Sequence, residues 1–172
     1  DVTRPGTERP KAFEELDVPE AVLPDALRSS LDAAVGAEHV STDALDRVVH
    51  ARGKSLRDLV RQRRGDMPRV PDAVVRPGDE AAVEGVLAAA LEADAVVIPF
   101  GGGSSISGSV EAEPGETRPV LSVDMTRLDR VLDVDPTSQL ARVQAGVFGP
   151  ELERQLNERG WTIGHFPDSF TH

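Results

Sequence analysis

Between Asp94 and Gly108 the chain reads Asp-Ala-Val-Val-Ile-Pro-Phe-Gly-Gly-Gly-Ser-Ser-Ile-Ser-Gly, an apolar strand that runs directly into glycines and serines. No other stretch limits the fold as tightly. Glycine permits positive φ and lets main-chain N–H groups approach an anion with no Cβ in the way, and small hydroxyl side chains add further donors. A strand that ends in such a loop delivers backbone donors to a phosphate. The ligand expected from these residues is a phosphorylated cofactor.

The loop is not a P-loop, because Ser104 and Ser105 follow Gly103 directly where Gly-Lys-Ser/Thr would have to close the turn. It is not a Rossmann fingerprint either. In the register starting at Gly101 and Gly103, Ile106 occupies the place of the third glycine, which lets the helix pack on the strand. The segment from Ser107 to Pro119 carries Gly108, Pro114, Gly115 and Pro119, so no helix opens there. What remains is a loop that holds phosphate with its own N–H groups and no helix dipole behind it. A flexible Gly-Ser connector would have the same composition.

The rest of the composition narrows the setting. At 172 residues, with 39% hydrophobic and 28% charged side chains, the chain can bury a core as one compact domain plus an appendage. The apolar run Ala95 to Phe100 suits a buried strand, and no apolar run approaches the length of a membrane span. The start, Asp1-Val-Thr-Arg-Pro-Gly, lacks a basic-then-apolar leader, and the expected location is cytoplasmic. The absence of cysteine removes disulfides, thiolate zinc sites and cysteine nucleophiles. A net charge of −11 opposes nucleic acid. The basic cluster Arg57, Arg61, Arg63, Arg64 and Arg69 has no interleaved aromatics and is expected to be a solvated helix face.

Along the chain, residues 1–66 read as a helical lead-in and 67–172 as the first part of an α+β domain. Ser41 or Thr42 is expected to cap a helix with Leu45, Val48 and Val49 on its apolar face, ended by Gly53. Ser55 caps a second helix with Leu56, Leu59 and Val60, completing a helical hairpin. The strand Ala73–Val75, a helix capped by Asp79 with Val83, Val86, Leu87 and Leu91 on one face, and the strand Ala95–Phe100 then form a βαβ unit. Short strands follow near Val120–Val123, Val131–Val134 and Leu140–Val143. Pro150 opens a last helix that carries Leu152 and Leu156 inward and stops at Gly160. Trp161 is expected in a core strand, and Asp124 as a turn-capping residue ahead of Met125-Thr126. His165, Asp168 and His172 lack a fourth ligand at sensible spacing, so no metal site is expected.

Pro99-Phe-Gly-Gly-Gly-Ser-Ser105, followed by Val143-Gln-Ala-Gly146 and Pro167-Asp-Ser169, resembles the FAD-binding domain of the vanillyl-alcohol-oxidase/p-cresol-methylhydroxylase (PCMH-type) family. The stretches Asp46–Leu56, Arg69–Val75, Glu116-Thr-Arg118, Glu151–Leu156 and Gly164–Ser169 resemble one branch, whose members make ether-lipid precursors by acyl/alkyl exchange on acylated dihydroxyacetone phosphate. The likeness covers about residues 41–172. It implies an α+β fold with a βαβ start and a mixed sheet with flanking helices. Pro99, Phe100, Gly101, Gly102, Gly103, Ser104 and Ser105 match the loop around the FAD pyrophosphate. Pro167, Asp168, Ser169, Phe170, Thr171 and His172 match the start of a second cofactor-binding segment. No histidine stands in the glycine loop for a covalent link, so the implied FAD is non-covalent. The catalytic residues are expected outside these positions, in the rest of the FAD domain and the substrate cap.

The resemblance therefore implies a flavin-dependent enzyme acting on a small-molecule substrate, with a homodimer left open. Oxidation of a 2-hydroxy acid such as D-lactate or glycolate uses the same domain and is the alternative chemistry. A non-catalytic nucleotide-binding module is the alternative from another class.

Overall fold

A computed structural model describes residues 9–171. Helices α1 (Asp25–Val35), α2 (Ala44–Val49), α3 (Leu56–Arg64), α4 (Glu80–Glu92) and α5 (Gly149–Asn157) surround two small sheets. In the first, β1 (Val40–Ser41) lies antiparallel on β2 (Ala73–Val75), and β2 and β3 (Val96–Phe100) both run parallel to β4 (Val120–Asp124). The order is β1-β2-β4-β3, so the β2-α4-β3 crossover leaves room for β4 in the middle. The second sheet is a hairpin of β5 (Val131–Asp135) and β6 (Leu140–Val143). The fold is the mixed α+β arrangement that the sequence predicts.

β2 and β4 are buried at every residue, which is why they read as unbroken apolar runs instead of alternating ones. One face of the sheet carries the α1/α4 layer, with Leu27, Leu31, Val75, Val86, Ala90 and Leu121 at its centre. On a second cluster, Ile98, Phe100 and Val120 pack with Val110 and Ala112 from the chain returning after the glycine loop. Pro99 is tolerated because β3 is an edge strand.

Several helix faces differ from the expectation. In α4 the capping Asp79 accepts from the Ala82 amide at 2.8 Å as predicted, but Leu87 and Leu91 are exposed. The buried seam is Val86, Ala89 and Ala90. Gly85 explains this, since an added Cβ would lie 2.9 Å from that of Ala34. The two helices meet too closely for leucine. In α2 the cap is Asp43, not Ser41 or Thr42, and the helix ends at His50, ahead of Gly53. Leu45 and Val49 face outward, because the inward position is taken by Arg47, whose guanidinium donates to the carbonyls of Pro71 at 2.6 Å and Pro19 at 2.8 Å. α3 has the expected Ser55/Asp58 capping box and a left-handed Gly65 at its end, yet Leu56, Leu59 and Val60 are exposed while Asp58 is buried. Trp161 is half-buried and lies in no strand. Among the described residues no helix is long and apolar enough to cross a membrane.

The basic cluster is not wholly a solvated face. Arg69 binds Asp72 at 2.6 Å, and Asp72 is fully buried. The same carboxylate accepts the amides of Val22 at 2.9 Å and Val120 at 2.8 Å. It therefore ties the N-terminal segment to the first residue of β4. Asp72→Ala leaves these donors without an acceptor and Arg69 without its counter-charge. Urea unfolding is expected to show a loss of about 3–5 kcal/mol, and a loss below about 1 kcal/mol would show that the tie is unimportant.

Candidate functional site

The glycine loop leaves β3 at the carboxyl end of the parallel strands, the edge at which open α/β sheets bind ligands. The last rung of the ladder pairs Phe100 with Asp124, and the Met125 amide donates to the Phe100 carbonyl at 2.9 Å. From Gly101 to Pro119 the chain lies outside the sheet. Among the described residues, the N–H groups of Gly101, Gly102, Gly103, Ser104 and Ser105 donate to no protein acceptor. A Cβ built on Gly101 meets nothing within 4 Å, so this side of the loop is open. Gly103 has φ +65°, and a Cβ there would sit 2.5 Å from the tip of the Phe100 ring. Only glycine satisfies both conditions. No helix follows, since residues 101–119 are turns and bends.

The loop is clasped from outside. The Ser105 carbonyl accepts from the Lys54 amide at 2.8 Å, and Gly53 is required because a Cβ there would overlap that same carbonyl oxygen. The Ser105 hydroxyl lies 2.8 Å from that of Ser109 and accepts from the Ser109 amide at 3.3 Å. Further on, Glu111 accepts from Arg52 at 2.7 Å and Arg61 at 2.6 Å, while Arg61 also binds Asp66 at 2.7 Å. Arg52 is buried and reaches the Asp66 carbonyl at 2.6 Å.

Behind the loop lies an ionic array whose centre, His50 and Asp124, is buried and whose Asp46 and Arg76 are partly exposed. His50 Nε2 is 3.1 Å from Asp124 Oδ2, and its Nδ1 is 2.7 Å from the Asp46 carbonyl oxygen. Arg76 donates to both carboxylate oxygens of Asp46, at 2.9 and 2.6 Å, and to Asp124 at 3.1 Å. Burial alone would raise the pKa of Asp124, but the hydrogen bonds from His50 and Thr126 outweigh it and hold the carboxyl at about 2. Asp46 is held below the ordinary range in the same way, its burial offset by Arg76. The Thr126 amide donates to Asp124 Oδ1 at 2.9 Å, the turn-capping role expected from the sequence. The other carboxylate oxygen, and with it His50 and Arg76, escaped the sequence reading. The one local signal was the i,i+4 spacing of Asp46 and His50.

The second expected segment is anchored elsewhere. The Phe170 amide donates to the Pro167 carbonyl at 2.9 Å, and the Phe170 carbonyl accepts from Gly149 at the start of α5 at 3.1 Å. Asp168 and Ser169 are exposed. His172 lies outside the described residues. Thus the glycine loop is tied to residues 46–66 and the Pro167–Phe170 turn to α5. Gly146 is brought to the Asp124 turn, donating to the Leu128 carbonyl at 2.9 Å with no room for a Cβ against the Met125 carbonyl. Among the described residues no group of His, Asp or Glu is arranged to hold a metal.

The domain presents bare backbone donors at the end of a parallel strand, with no helix N-terminus behind them, an arrangement able to hold an anion. Residues 71–172 match the family described as FAD binding domain, and the chain belongs to that family. Its cofactor is FAD, and the loop fits one: open at Gly101, rich in unpaired N–H groups and free of acidic side chains from Gly101 to Ser109. A protein of Trypanosoma brucei brucei called alkyldihydroxyacetonephosphate synthase is 39% identical over 98% of this chain and 27% of its own length. A solved structure of an alkyldihydroxyacetonephosphate synthase superposes with TM-score 0.89 at 37% identity, covering 95% of this chain and 31% of that one. p-Cresol methylhydroxylase shares the fold at 16% identity, with TM-score 0.58 over 78% of this chain and 24% of its own. The chain spans about a quarter of the length of the curated relatives it matches.

The folded pKa of Asp124 lies below its ordinary value of 3.8, so its ionisation stabilises the fold fully above about pH 4 and that contribution is lost as pH falls through about 2. Asp124→Asn is expected to melt well below the unmodified protein at neutral pH, with the gap closing between about pH 4 and pH 2. A gap in melting temperature that stays constant over that range would show that the carboxylate is not the titrating group.

Proposed function

We propose that residues 67–172 are the first part of the FAD-binding domain of an enzyme that exchanges the acyl group of an acylated dihydroxyacetone phosphate for a fatty alcohol, with 1–66 as its helical lead-in. The observation that carries this reading is the likeness to alkyldihydroxyacetonephosphate synthases along nearly the whole chain. The amides of Gly101 to Ser105 would hold the FAD pyrophosphate, the hydroxyls of Ser104 and Ser105 would add donors, and Pro99 and Phe100 would fix where the loop begins. Pro167, Asp168, Ser169, Phe170, Thr171 and His172 would begin the second cofactor segment. Flavin supplies the reactive centre when bound, and this chain supplies its position and electrostatics. With no histidine from Pro99 to Gly108 the FAD is held without a covalent link. The proposed partner is a small-molecule substrate and the proposed setting is the cytoplasm.

The full-length protein is expected to show flavin absorption bands and to release the yellow colour to the supernatant on acid precipitation. Colour retained in the pellet would overturn the non-covalent reading, and a colourless protein that cannot be reconstituted would favour a non-catalytic module. Given an acylated dihydroxyacetone phosphate and a fatty alcohol, it should release fatty acid and form the alkyl ether. Anaerobic bleaching of the flavin by D-lactate or glycolate would point instead to a dehydrogenase.

Gly101→Val tests the loop directly. Its side chain enters open space in the protein, so the fold should keep its melting temperature while FAD binding is lost. Normal flavin content in this variant would overturn the assignment of the loop.

A further inference from the structure

The geometry points to His50 as a positioning residue for the pyrophosphate loop. The role rests on the FAD reading of that loop and adds to it a side chain from outside the matched residues 71–172.

The His50 side chain is buried at the end of α2, and each ring nitrogen meets an oxygen. Nδ1 faces the Asp46 carbonyl at 2.7 Å and Nε2 faces the Asp124 carboxylate at 3.1 Å. A carbonyl and a carboxylate can only accept, so whichever ring nitrogen carries a proton meets an acceptor. The charged groups around it are Asp46, with a carboxylate oxygen 3.3 Å away, Asp124, and Arg76, which bridges the two. Those two bonds fix the plane of the ring.

The ring then fixes Phe100. The His50 and Phe100 ring centroids are 4.3 Å apart at a 47° tilt. The far tip of the Phe100 ring lies against Gly103, where an added Cβ would come within 2.5 Å. His50 thus touches both members of the last β3/β4 rung, Phe100 by its face and Asp124 by a hydrogen bond. Through Phe100 it sets the height of Gly103. The sequence from Asp94 to Thr117 contains no lysine or arginine, so the loop carries no cation of its own.

The test uses the full-length protein and measures dissociation constants for FAD and for riboflavin, which lacks the pyrophosphate. His50→Gln keeps one donor and loses the planar ring. It is expected to weaken FAD about tenfold or more, the range of a hydrogen bond to a charged group, while riboflavin affinity stays unchanged. Equal weakening of both flavins, or no weakening of FAD in a folded variant, would overturn the role. If His50→Gln does not fold, Phe100→Leu decides by the same readouts, since it cuts the link between His50 and Gly103. Nitrogen-15 NMR of the unmodified protein supplies an independent check: the His50 ring should show a single hydrogen-bonded state, and rapid exchange between its two tautomers would overturn the arrangement. Gly101→Val separates the two claims. Should it bind FAD normally, the pyrophosphate reading falls; should it lose FAD while His50→Gln keeps it, only the role of His50 falls.

Discussion

The carboxylate of Asp124 is where the sheet, the helical lead-in and the glycine loop meet. It closes the parallel ladder opposite Phe100 and receives His50, Arg76 and the Thr126 amide. Removing a carboxylate from water costs several kcal/mol unless donors replace the lost hydration. Here they come from three separate stretches of chain, so the charge is satisfied only when α2, the end of β2 and the turn after β4 are all in place. The end of β3, and hence the start of the loop, follows from that agreement.

The same logic recurs at Asp72 and Arg52, and it accounts for a protein that is acidic overall yet buries arginine. Three parallel strands of three to five residues make a small ladder, and short strands specify register weakly by backbone bonds alone. Buried ionic ties supply the register. Asp72 sets where β4 begins by accepting the Val120 amide, and Arg47 and Arg69 hold the segment that leads into β2. Because Arg47 and Arg52 are buried and Arg69 and Arg76 are paired with carboxylates, they contribute little attraction for an approaching anion. The phosphate binding proposed for the loop would then rest on backbone dipoles at close range, consistent with a loop of bare N–H groups.

Local signals made much of this legible. β6 matches its expected range of Leu140–Val143, the Asp79 and Ser55 caps are where the side chains promise, and the strand into Gly101 needs no tertiary information. Helix faces were harder. Apolar spacing picks out Leu45, Val49, Leu56, Leu87 and Leu91, all of which face outward, because periodicity gives a stripe but not the neighbour that will cover it. A glycine and small alanines won in α4, and an arginine with carbonyl partners won in α2. His50 and Arg76 were illegible for another reason. They bond to Asp124 across 74 and 48 residues, a separation that leaves no pattern in a window of sequence.

A loop that keeps its amides unpaired has an energetic problem, since backbone donors left without acceptors cost free energy wherever water cannot reach them. Partial exposure of Gly101, Gly102, Ser104 and Ser105 solves half of it by leaving water access. The other half is shape, because hydrated amides alone would not hold a cradle. Gly53 and Lys54 hold the loop at Ser105, the Glu111 cluster holds its return, and Val110 and Ala112 pack it onto β3. An anion entering such a loop meets donors whose ordering cost was met at folding, and preorganisation of this kind turns weak individual bonds into useful affinity. The clasp lies in residues 46–66, ahead of the matched 71–172. On the proposed reading of the loop, residues 46–66 are therefore part of its support and not merely an appendage to it.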